Sequence, residues 1–192
     1  MVAQLKQTKT TYTPEEYLAL EETAEFRNEY IDGEIIPMTG GTTIHNQIAG
    51  NFYRAFPLSI DSQDYYTYIN DVKVWIEACR VYTYPDVLII EGEPIYQGDS
   101  PVVVTNPKVI IEVLSDSTAT YDRTKKFGFY RLLPSLQEYI LISQSAYYVE
   151  QFSKRDDGQW LFSPVESLEN QLTLTSVNFQ ISMQDLYQRV KF

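Results

Sequence analysis

The sequence has few of the residues that build disulfide and transition-metal sites. Its 192 residues include one cysteine, Cys79, and one histidine, His45. A single cysteine excludes an internal disulfide and a multi-cysteine zinc site, and a single histidine excludes a site built from several imidazoles. A metal bound here would take carboxylates, backbone carbonyls and water, which are the ligands that a hard cation such as Mg²⁺ prefers.

Long hydrophobic segments are also absent. No run approaches the about 18 apolar residues of a membrane-spanning helix, and the opening MVAQLKQTKTTYT lacks the apolar centre of a signal peptide. No repeat, and no linker rich in Gly, Pro or Ser, divides the chain. We therefore predict a cytoplasmic protein without membrane segments, made of a polar leader over residues 1–12 and one domain over residues 13–192.

Basic residues are outnumbered by acidic ones. Fifteen Lys and Arg against 26 Asp and Glu give a formal net charge of −11. Nucleic-acid-binding proteins neutralise phosphates with Lys and Arg and tend to be basic. The charge therefore argues against tight nonspecific DNA binding by the whole surface, but it leaves open a small basic groove or a metal-mediated contact.

Local signals at the start of the chain predict a helix followed by a β-hairpin. Thr13 begins a capping box and Pro14 follows it, which predicts a helix over residues 14–22. Asp32-Gly33 then separates two strand-like segments, and this dipeptide is typical of a two-residue hairpin turn.

Periodicity in the rest of the chain predicts an α/β fold. Apolar residues recur every four positions from Ile44 to Phe56, which indicates a second helix. Compact apolar runs at 86–90 and 109–114 are typical of central strands covered on both faces. Helices over 119–133 and 183–190 would flank a mixed central sheet. Further strands are expected at 65–69, 72–76, 138–142, 147–152 and 159–164.

Glu112 is the most informative single residue. It lies within KVIIEVLS, where strand alternation places it on one face with Ile110 and Leu114. Burying an unpaired carboxylate costs several kcal/mol, so Glu112 requires a cation or a metal nearby. A purely structural ion pair would satisfy that requirement as well as a functional site.

Asp86 follows Tyr84-Pro85, where a strand leaves a turn. Taken alone, Asp86 fits the ordinary role of an aspartate at the end of a strand. Two carboxylates on neighbouring strands, Asp86 and Glu112, would however make a seat for Mg²⁺. The pair is therefore more specific than either residue.

Lys126 is placed on the inner face of the predicted 119–133 helix. At about 100° per residue it shares that face with Asp122 and Tyr130, whereas Lys125 lies toward the flank. Lys126 would form a simple i,i+4 pair with Asp122, or it would reach the carboxylates and offset charge there. Periodicity alone does not separate these two interpretations.

His45 lies in the apolar stripe of the second helix. A lone histidine in such a position is more often a hydrogen-bonded packing residue than a catalyst. No Gly-x-Ser-x-Gly element accompanies it, so a hydrolase triad of that type has no support. A phosphate-binding glycine loop is also lacking, and nucleotide-dependent chemistry is not indicated.

Four segments in this order carry a resemblance: YPDVLII, NPKVIIEVLSDST, YDRTKKFGFY and EYILIS. Together they resemble the Uma-type restriction endonucleases, bacterial proteins of the PD-(D/E)XK nuclease superfamily. The likeness includes NEYIDGEIIPM upstream and covers residues 13–143. It implies a restriction-endonuclease-like fold, in which a mixed sheet flanked by helices carries acidic residues at a metal site.

The resemblance also implies roles for individual residues. Asp86 matches the aspartate of the PD motif and Glu112 the acidic residue of the second half-motif, both as ligands of Mg²⁺ or Mn²⁺. The backbone carbonyl of Val113 is a further candidate ligand. The position two residues after Glu112 is Leu114 instead of the usual lysine, and the lysine matches Lys126 on the following helix.

Two further matches have less defined roles. The early carboxylate of the family best matches Glu29, with Glu34 as the weaker match, and Glu29 would hold a metal-bound water. His45 matches a histidine that would do the same or only pack.

The leading hypothesis is a Mg²⁺-dependent endonuclease that hydrolyses phosphodiester bonds in DNA. A homodimer is expected of an enzyme that cuts two strands. The alternative is a catalytically silent nuclease-fold protein with a binding or regulatory role, which the net charge favours. A metal hydrolase of a non-nucleic substrate ranks third. The basic residues that cluster in the sequence are Arg123, Lys125, Lys126 and Arg131, which lie on the predicted 119–133 helix beside the proposed site.

Overall fold

The structure is a computed structural model that describes residues 11–38, 40–98 and 101–192. Most of the predicted polar leader, residues 1–10, lies outside the described residues. Within the described ranges, no helix is long and apolar enough to cross a membrane.

Short strands make up most of the elements, and the helices separate them into groups. The helices are α1 (Pro14–Glu21), α2 (Thr43–Ala55), α3 (residues 119–130) and a short C-terminal helix (Met183–Leu186). The strands are β1 (Asn28–Ile31), β2 (Glu34–Pro37), β3 (Ser59–Ile60), β4 (Gln63–Ile69), β5 (Lys73–Ile76), β6 (Val81–Thr83), β7 (Val87–Glu91), β8 (Val103–Val104), β9 (Val109–Leu114), β10 (Glu138–Ser143), β11 (Tyr148–Lys154), β12 (Trp160–Glu166), β13 (Gln171–Leu174) and β14 (Phe179–Ser182).

A seven-stranded mixed sheet forms the centre, in the order β12-β11-β10-β9-β7-β4-β3. Strand β9 is parallel to β10 and antiparallel to β7. Every residue of β9 and β10 is buried, because both strands are mostly apolar and are covered on both faces. The predicted α/β fold with a mixed sheet is confirmed.

The two faces of β9 point into different hydrophobic cores, as strand alternation predicts. Val109, Ile111 and Val113 pack with α2, the β13-β14 hairpin and the C-terminal helix. Ile110 and Leu114 pack on the opposite face with residues of α3. Glu112 belongs to that second face, so α3 covers it.

A smaller five-stranded sheet, in the order β2-β1-β6-β5-β8, carries the N-terminal helix. The capping box at Thr13 is formed and Pro14 begins α1, which confirms the predicted helix. Three fully buried tyrosines, Tyr17, Tyr30 and Tyr82, pack with ring centroids 5.2–5.9 Å apart and join α1 to this sheet.

Helix α3 is irregular. It consists of Ala119–Tyr121, a π-helical stretch Asp122–Lys126, and Phe127–Tyr130. The prediction of a regular helix to residue 133 is therefore wrong in length and in pitch. A π-helical turn widens the local spacing and is frequent at functional sites, and this one buries both Asp122 and Lys126.

The closing helix predicted over residues 183–190 is also wrong, because it ends at Leu186. Tyr187 turns inward and donates its hydroxyl to the backbone carbonyls of Ser143 and Tyr148, both at 2.9 Å. Arg189 then adopts a positive φ of 65°. The chain thereby buries Tyr187 and Val190 in place of continuing the helix.

The hairpin turn provides a test of local backbone strain. Gly33 has φ of +108°, and a Cβ there would lie 2.5 Å from Thr11 Cγ2. We expect Gly33→Ala to lower the free energy of unfolding by about 1–3 kcal/mol, measured by urea denaturation. Gly50→Ala is the matched control: Gly50 lies within α2 with open space around its Cα, so that change should raise stability by up to about 1 kcal/mol. A loss of stability in Gly50→Ala equal to that in Gly33→Ala would contradict this account.

Candidate functional site

A cleft of about 660 Å³ opens where the first turns of α2 and α3 meet the ends of β7 and β9. Five of the seven residues selected from the sequence line it: His45, Asp86, Glu112, Val113 and Lys126. The two candidates for the early carboxylate, Glu29 and Glu34, are not part of the lining.

Asp86 and Glu112 are neighbours across two antiparallel strands. Val87 of β7 pairs with Ile111 of β9, so the next position of the same register places Asp86 opposite Glu112. Opposite residues of an antiparallel pair lie on the same face of the sheet. Side chains 26 positions apart in the sequence are thus brought to one end of the sheet.

One oxygen of Asp86 is held by two donors. Its Oδ2 accepts the backbone N–H of Val113 at 2.7 Å and lies 3.0 Å from His45 Nε2. Burial lowers the pKa of His45, but the hydrogen bond and charge of Asp86 outweigh it and raise the pKa overall. Gly41 lets the preceding loop approach closely, because a Cβ there would lie 2.8 Å from His45 Nδ1.

Glu112 is held in a similar way. Its side chain is buried, and Oε1 receives Lys126 Nζ at 2.8 Å and the Tyr130 hydroxyl at 2.7 Å. Burial and the charge of Glu112 raise the pKa of Tyr130, which therefore remains a neutral donor. Among the residues described, no donor reaches the other oxygen, Oε2.

Lys126 is surrounded by carboxylates. Its Nζ lies closest to Glu112 and then 3.6 Å from Glu29 Oε1 and 3.9 Å from Asp122 Oδ1. The two interpretations of Lys126 are therefore both realised, with the reach to Glu112 as the shorter contact. Lys125, one position away, is exposed.

Glu29 lies near Lys126 on the side away from the cleft. It lies on β1 of the smaller sheet and accepts hydrogen bonds from Thr83 Oγ1 and, at 3.3 Å, from the Tyr121 hydroxyl. Glu29 therefore contacts the ammonium group of Lys126 without facing the cleft. Glu34, the weaker match, is exposed on β2.

The charges of the cleft are unbalanced. Burial raises the pKa of Glu112 well above its usual value, and Asp86 and Asp122 add to the rise while Lys126 opposes it. Burial also raises the pKa of Asp122. For Lys126, burial acts downward, but Glu112, Glu29 and Asp122 raise its pKa well above the usual value. The cluster thus has too few cations for its carboxylates, and it binds protons strongly.

Several contacts of this cluster come from residues that the sequence analysis did not select. Thr83, Tyr121 and Tyr130 donate to the carboxylates, and Arg27 lines the cleft mouth. Tyr130 follows Lys126 by one helical turn on the same face, which is the one available signal. Nothing local in the sequence links Thr83 or Tyr121 to Glu29, because β1, β6 and α3 meet only in the folded chain.

Comparison with known proteins places the chain among nuclease-like proteins. Residues 14–184 match the Uma2 family model, described as "Putative restriction endonuclease". Two uncharacterized proteins of Synechocystis are similar to it. One is 46% identical over 151 residues, 79% of this chain and 85% of its own length; the other is 34% identical over 180 residues, 94% of this chain and 93% of its own length.

A solved structure has the same fold. The crystal structure of a protein from Anabaena variabilis, described as a "putative nuclease belonging to DUF820", superposes with a TM-score of 0.74. The match covers 92% of this chain and 97% of that chain, at 18% sequence identity. The shared fold therefore persists although most side chains differ.

The charge imbalance predicts a gain in stability when one carboxylate is removed. We expect Asp122→Asn to raise the free energy of unfolding by about 0.5–2 kcal/mol in EDTA at pH 7, because the raised pKa means that folding disfavours the ionised form. The gain should disappear as the pH falls below the unfolded-state pKa of about 3.9, where Asp122 is protonated in both states.

The matched control is Asp64→Asn, since Asp64 is exposed; this change should alter stability by less than about 0.5 kcal/mol. Urea denaturation across pH 3–7 measures both variants. A loss of stability in Asp122→Asn at pH 7 would show that its pairing with Lys126 outweighs the cost of burial, contrary to this interpretation.

Proposed function

The chain belongs to the Uma2 family, and on that premise we propose that it is a DNA endonuclease that hydrolyses phosphodiester bonds with Mg²⁺ or Mn²⁺. The observation that carries the proposal is the convergence of Asp86 and Glu112 at one end of the sheet. Lys126 Nζ lies 2.8 Å from Glu112 in a cleft open to solvent. This trio supplies the acidic and cationic groups that hydrolysis of a phosphodiester requires.

The donor atoms of the cleft suit a hard cation. Asp86 Oδ1 and Glu112 Oε2 have no hydrogen-bond donor among the described residues, whereas their partner oxygens are occupied. The N–H and C=O of a strand residue point to the same side. The carbonyl of Val113, whose N–H meets Asp86, is therefore the natural third ligand.

The number of protein ligands also fits Mg²⁺. In the described part of the chain, no group of three or more His, Cys, Asp or Glu side chains is arranged to hold a metal ion. Mg²⁺ is commonly bound by one or two carboxylates, with water and substrate phosphate completing its shell. Two carboxylates and one carbonyl meet that requirement.

Lys126, Glu29 and His45 would each have a separate role in the proposed hydrolysis. A bound divalent cation would polarise the phosphate and lower the pKa of an attacking water. The Lys126 ammonium has three N–H donors. One contacts Glu112 at 2.8 Å, whereas Glu29 and Asp122 lie beyond hydrogen-bond distance at 3.6 and 3.9 Å. The other donors are therefore left to orient the water and offset negative charge in the transition state. Glu29 would keep Lys126 charged, and His45 would fix the orientation of Asp86.

Arg27 is the proposed contact for a neighbouring phosphate. Arg27 and Lys126 are the cations of the cleft lining among the residues described. Arg27 pairs with Asp71 at the exposed rim, and its guanidinium lies 5.7 Å from the centre of the Tyr84 ring. Lys73 approaches the same ring at 5.2 Å. These two cations would bind the substrate backbone beside the cleft.

We also propose a homodimer, because cleavage of both strands of a DNA duplex would use two active sites. Light scattering on the purified protein, with and without duplex DNA, measures its mass. The cytoplasmic location and the single domain over residues 13–192 stay predictions.

Cleavage of supercoiled plasmid and of labelled oligonucleotides tests the proposed activity. We expect nicking with Mg²⁺ or Mn²⁺ and none in EDTA. Asp86→Asn, Glu112→Gln and Lys126→Met should each lower the rate by about 100-fold or more, as removal of groups aimed at the transition state does.

Lys125→Ala is the matched control for Lys126, because the two lysines are adjacent and Lys125 is exposed; its rate should stay within a factor of about two. A purified protein that cuts no substrate with any divalent metal would contradict the proposal. So would variants of the three residues that cut as well as the original chain.

Arg27→Ala should weaken DNA binding about equally for all sequences and reduce the slope of log affinity against log salt by about one. Fluorescence anisotropy with a labelled duplex at several KCl concentrations, with Ca²⁺ in place of Mg²⁺, measures this. Arg155→Ala, at an exposed turn between β11 and β12, should leave the slope unchanged. Absence of DNA binding by the original chain would instead favour the alternative to which the net charge of −11 points, a nuclease-fold protein with a regulatory role.

A further inference from the structure

Tyr130 is a buried residue of α3 that contacts a proposed metal ligand without facing the cleft. Its side chain is completely buried, and its hydroxyl lies 2.7 Å from Glu112 Oε1. Lys126 Nζ contacts the same oxygen at 2.8 Å. Both donors therefore fall on one carboxylate oxygen, and Oε2 is left without a donor from the described residues.

Two acceptors lie within reach of the hydroxyl proton of Tyr130: Glu112 Oε1 at 2.7 Å and Thr83 Oγ1 at 3.3 Å. The Thr83 hydroxyl donates its single proton to Glu29, so it can accept from Tyr130 but cannot also donate to it. Glu112 Oε1 is the nearer acceptor, so Tyr130 donates to Glu112 while Thr83 donates to Glu29. The two buried hydroxyls thus serve the two carboxylates that flank Lys126.

The ring of Tyr130 is fixed by packing. It lies 5.3 Å, centroid to centroid, from the Tyr139 ring, and its neighbours in the second core are buried. A tyrosine has two side-chain torsions before its rigid ring, whereas Lys126 reaches Glu112 through a flexible four-carbon stem. Tyr130 is therefore the more rigid of the two donors on Oε1.

We propose that Tyr130 is a positioning residue that orients Glu112 so that Oε2 faces the proposed metal site beside Asp86. The inference rests on the proposed function, because it assumes that Glu112 binds the metal. Tyr130 keeps this orientation when Lys126 turns toward water or substrate. Loss of the hydroxyl lets the Glu112 carboxylate rotate, which weakens metal binding.

Tyr130→Phe tests this directly, by Mn²⁺ binding to the DNA-free protein measured by electron paramagnetic resonance. We expect the dissociation constant to rise about 10- to 100-fold, the usual effect of removing a group that orients a metal ligand. Cleavage should recover toward the original rate at saturating Mn²⁺. Tyr187→Phe is the matched control: it also removes a buried tyrosine hydroxyl, whose acceptors are the carbonyls of Ser143 and Tyr148, and its Mn²⁺ affinity should not change.

A double-mutant cycle separates positioning from a general loss of structure. In the Glu112→Gln background, Tyr130→Phe should change the Mn²⁺ dissociation constant by less than about twofold, because the oriented carboxylate is already gone. Independent, additive effects would overturn the proposal, as would an unchanged dissociation constant in Tyr130→Phe alone. Urea denaturation in EDTA establishes that each variant is folded.

The outcomes also separate this inference from the proposed function. Tight Mn²⁺ binding that is lost in Tyr130→Phe, without any cleavage of DNA, would support the positioning role and contradict the endonuclease. Cleavage with unchanged metal affinity in Tyr130→Phe would do the reverse. An original chain that binds no Mn²⁺ would overturn both.

Discussion

One buried ammonium group facing several carboxylates is the interaction on which the site depends. Lys126 is 7% exposed and lies within 4 Å of Glu112, Glu29 and Asp122. Charges taken out of water are costly unless they are paired and hydrogen-bonded, and here a single cation serves three acids, with Asp86 close by. Donors from four elements reduce that cost: the hydroxyls of Thr83, Tyr121 and Tyr130, the imidazole of His45 and the N–H of Val113. The remaining excess of negative charge is what a divalent cation would offset.

Burial of an acid alone does not mark a functional site, as Glu138 shows. It is 1% exposed at the start of β10, and its oxygens accept hydrogen bonds from Gln151, Ser153 and both the backbone and hydroxyl of Ser176. Both oxygens are occupied, and no cation lies within 4 Å among the described residues. Glu112 differs because its Oε2, beside the cleft, has no hydrogen-bond donor among the described residues. The distinction lies in how the oxygens are used, which burial does not reveal.

The sequence predicted those parts of the site that local periodicity determines. Strand alternation assigned Glu112 to a buried face, and helical phase assigned Lys126 to the sheet, because both periods are fixed by backbone geometry. The capping box and the Asp32-Gly33 turn were predicted from the local hydrogen-bonding and backbone preferences of their own residues. Periodicity does not report partners from distant elements, so β6, the β13-β14 hairpin and the contacts of Thr83 and Tyr121 were missed. The closing helix failed because burial of Tyr187 outweighed local helical preference.

The acidity of the chain is compatible with the proposed DNA substrate, because salt screens electrostatic interactions beyond a short distance. At physiological ionic strength the Debye length is about 8 Å, so acidic side chains more than a few of these lengths away contribute little to the potential in the cleft. Near the proposed substrate, the positive charges are Lys126, Arg27 and Lys73 beside Tyr84, and a bound divalent cation would offset the carboxylates of the cleft. Such a site lacks the long-range attraction by which basic proteins collect DNA. We therefore expect the proposed association with DNA to be slow and its selectivity to depend on contacts made inside the cleft.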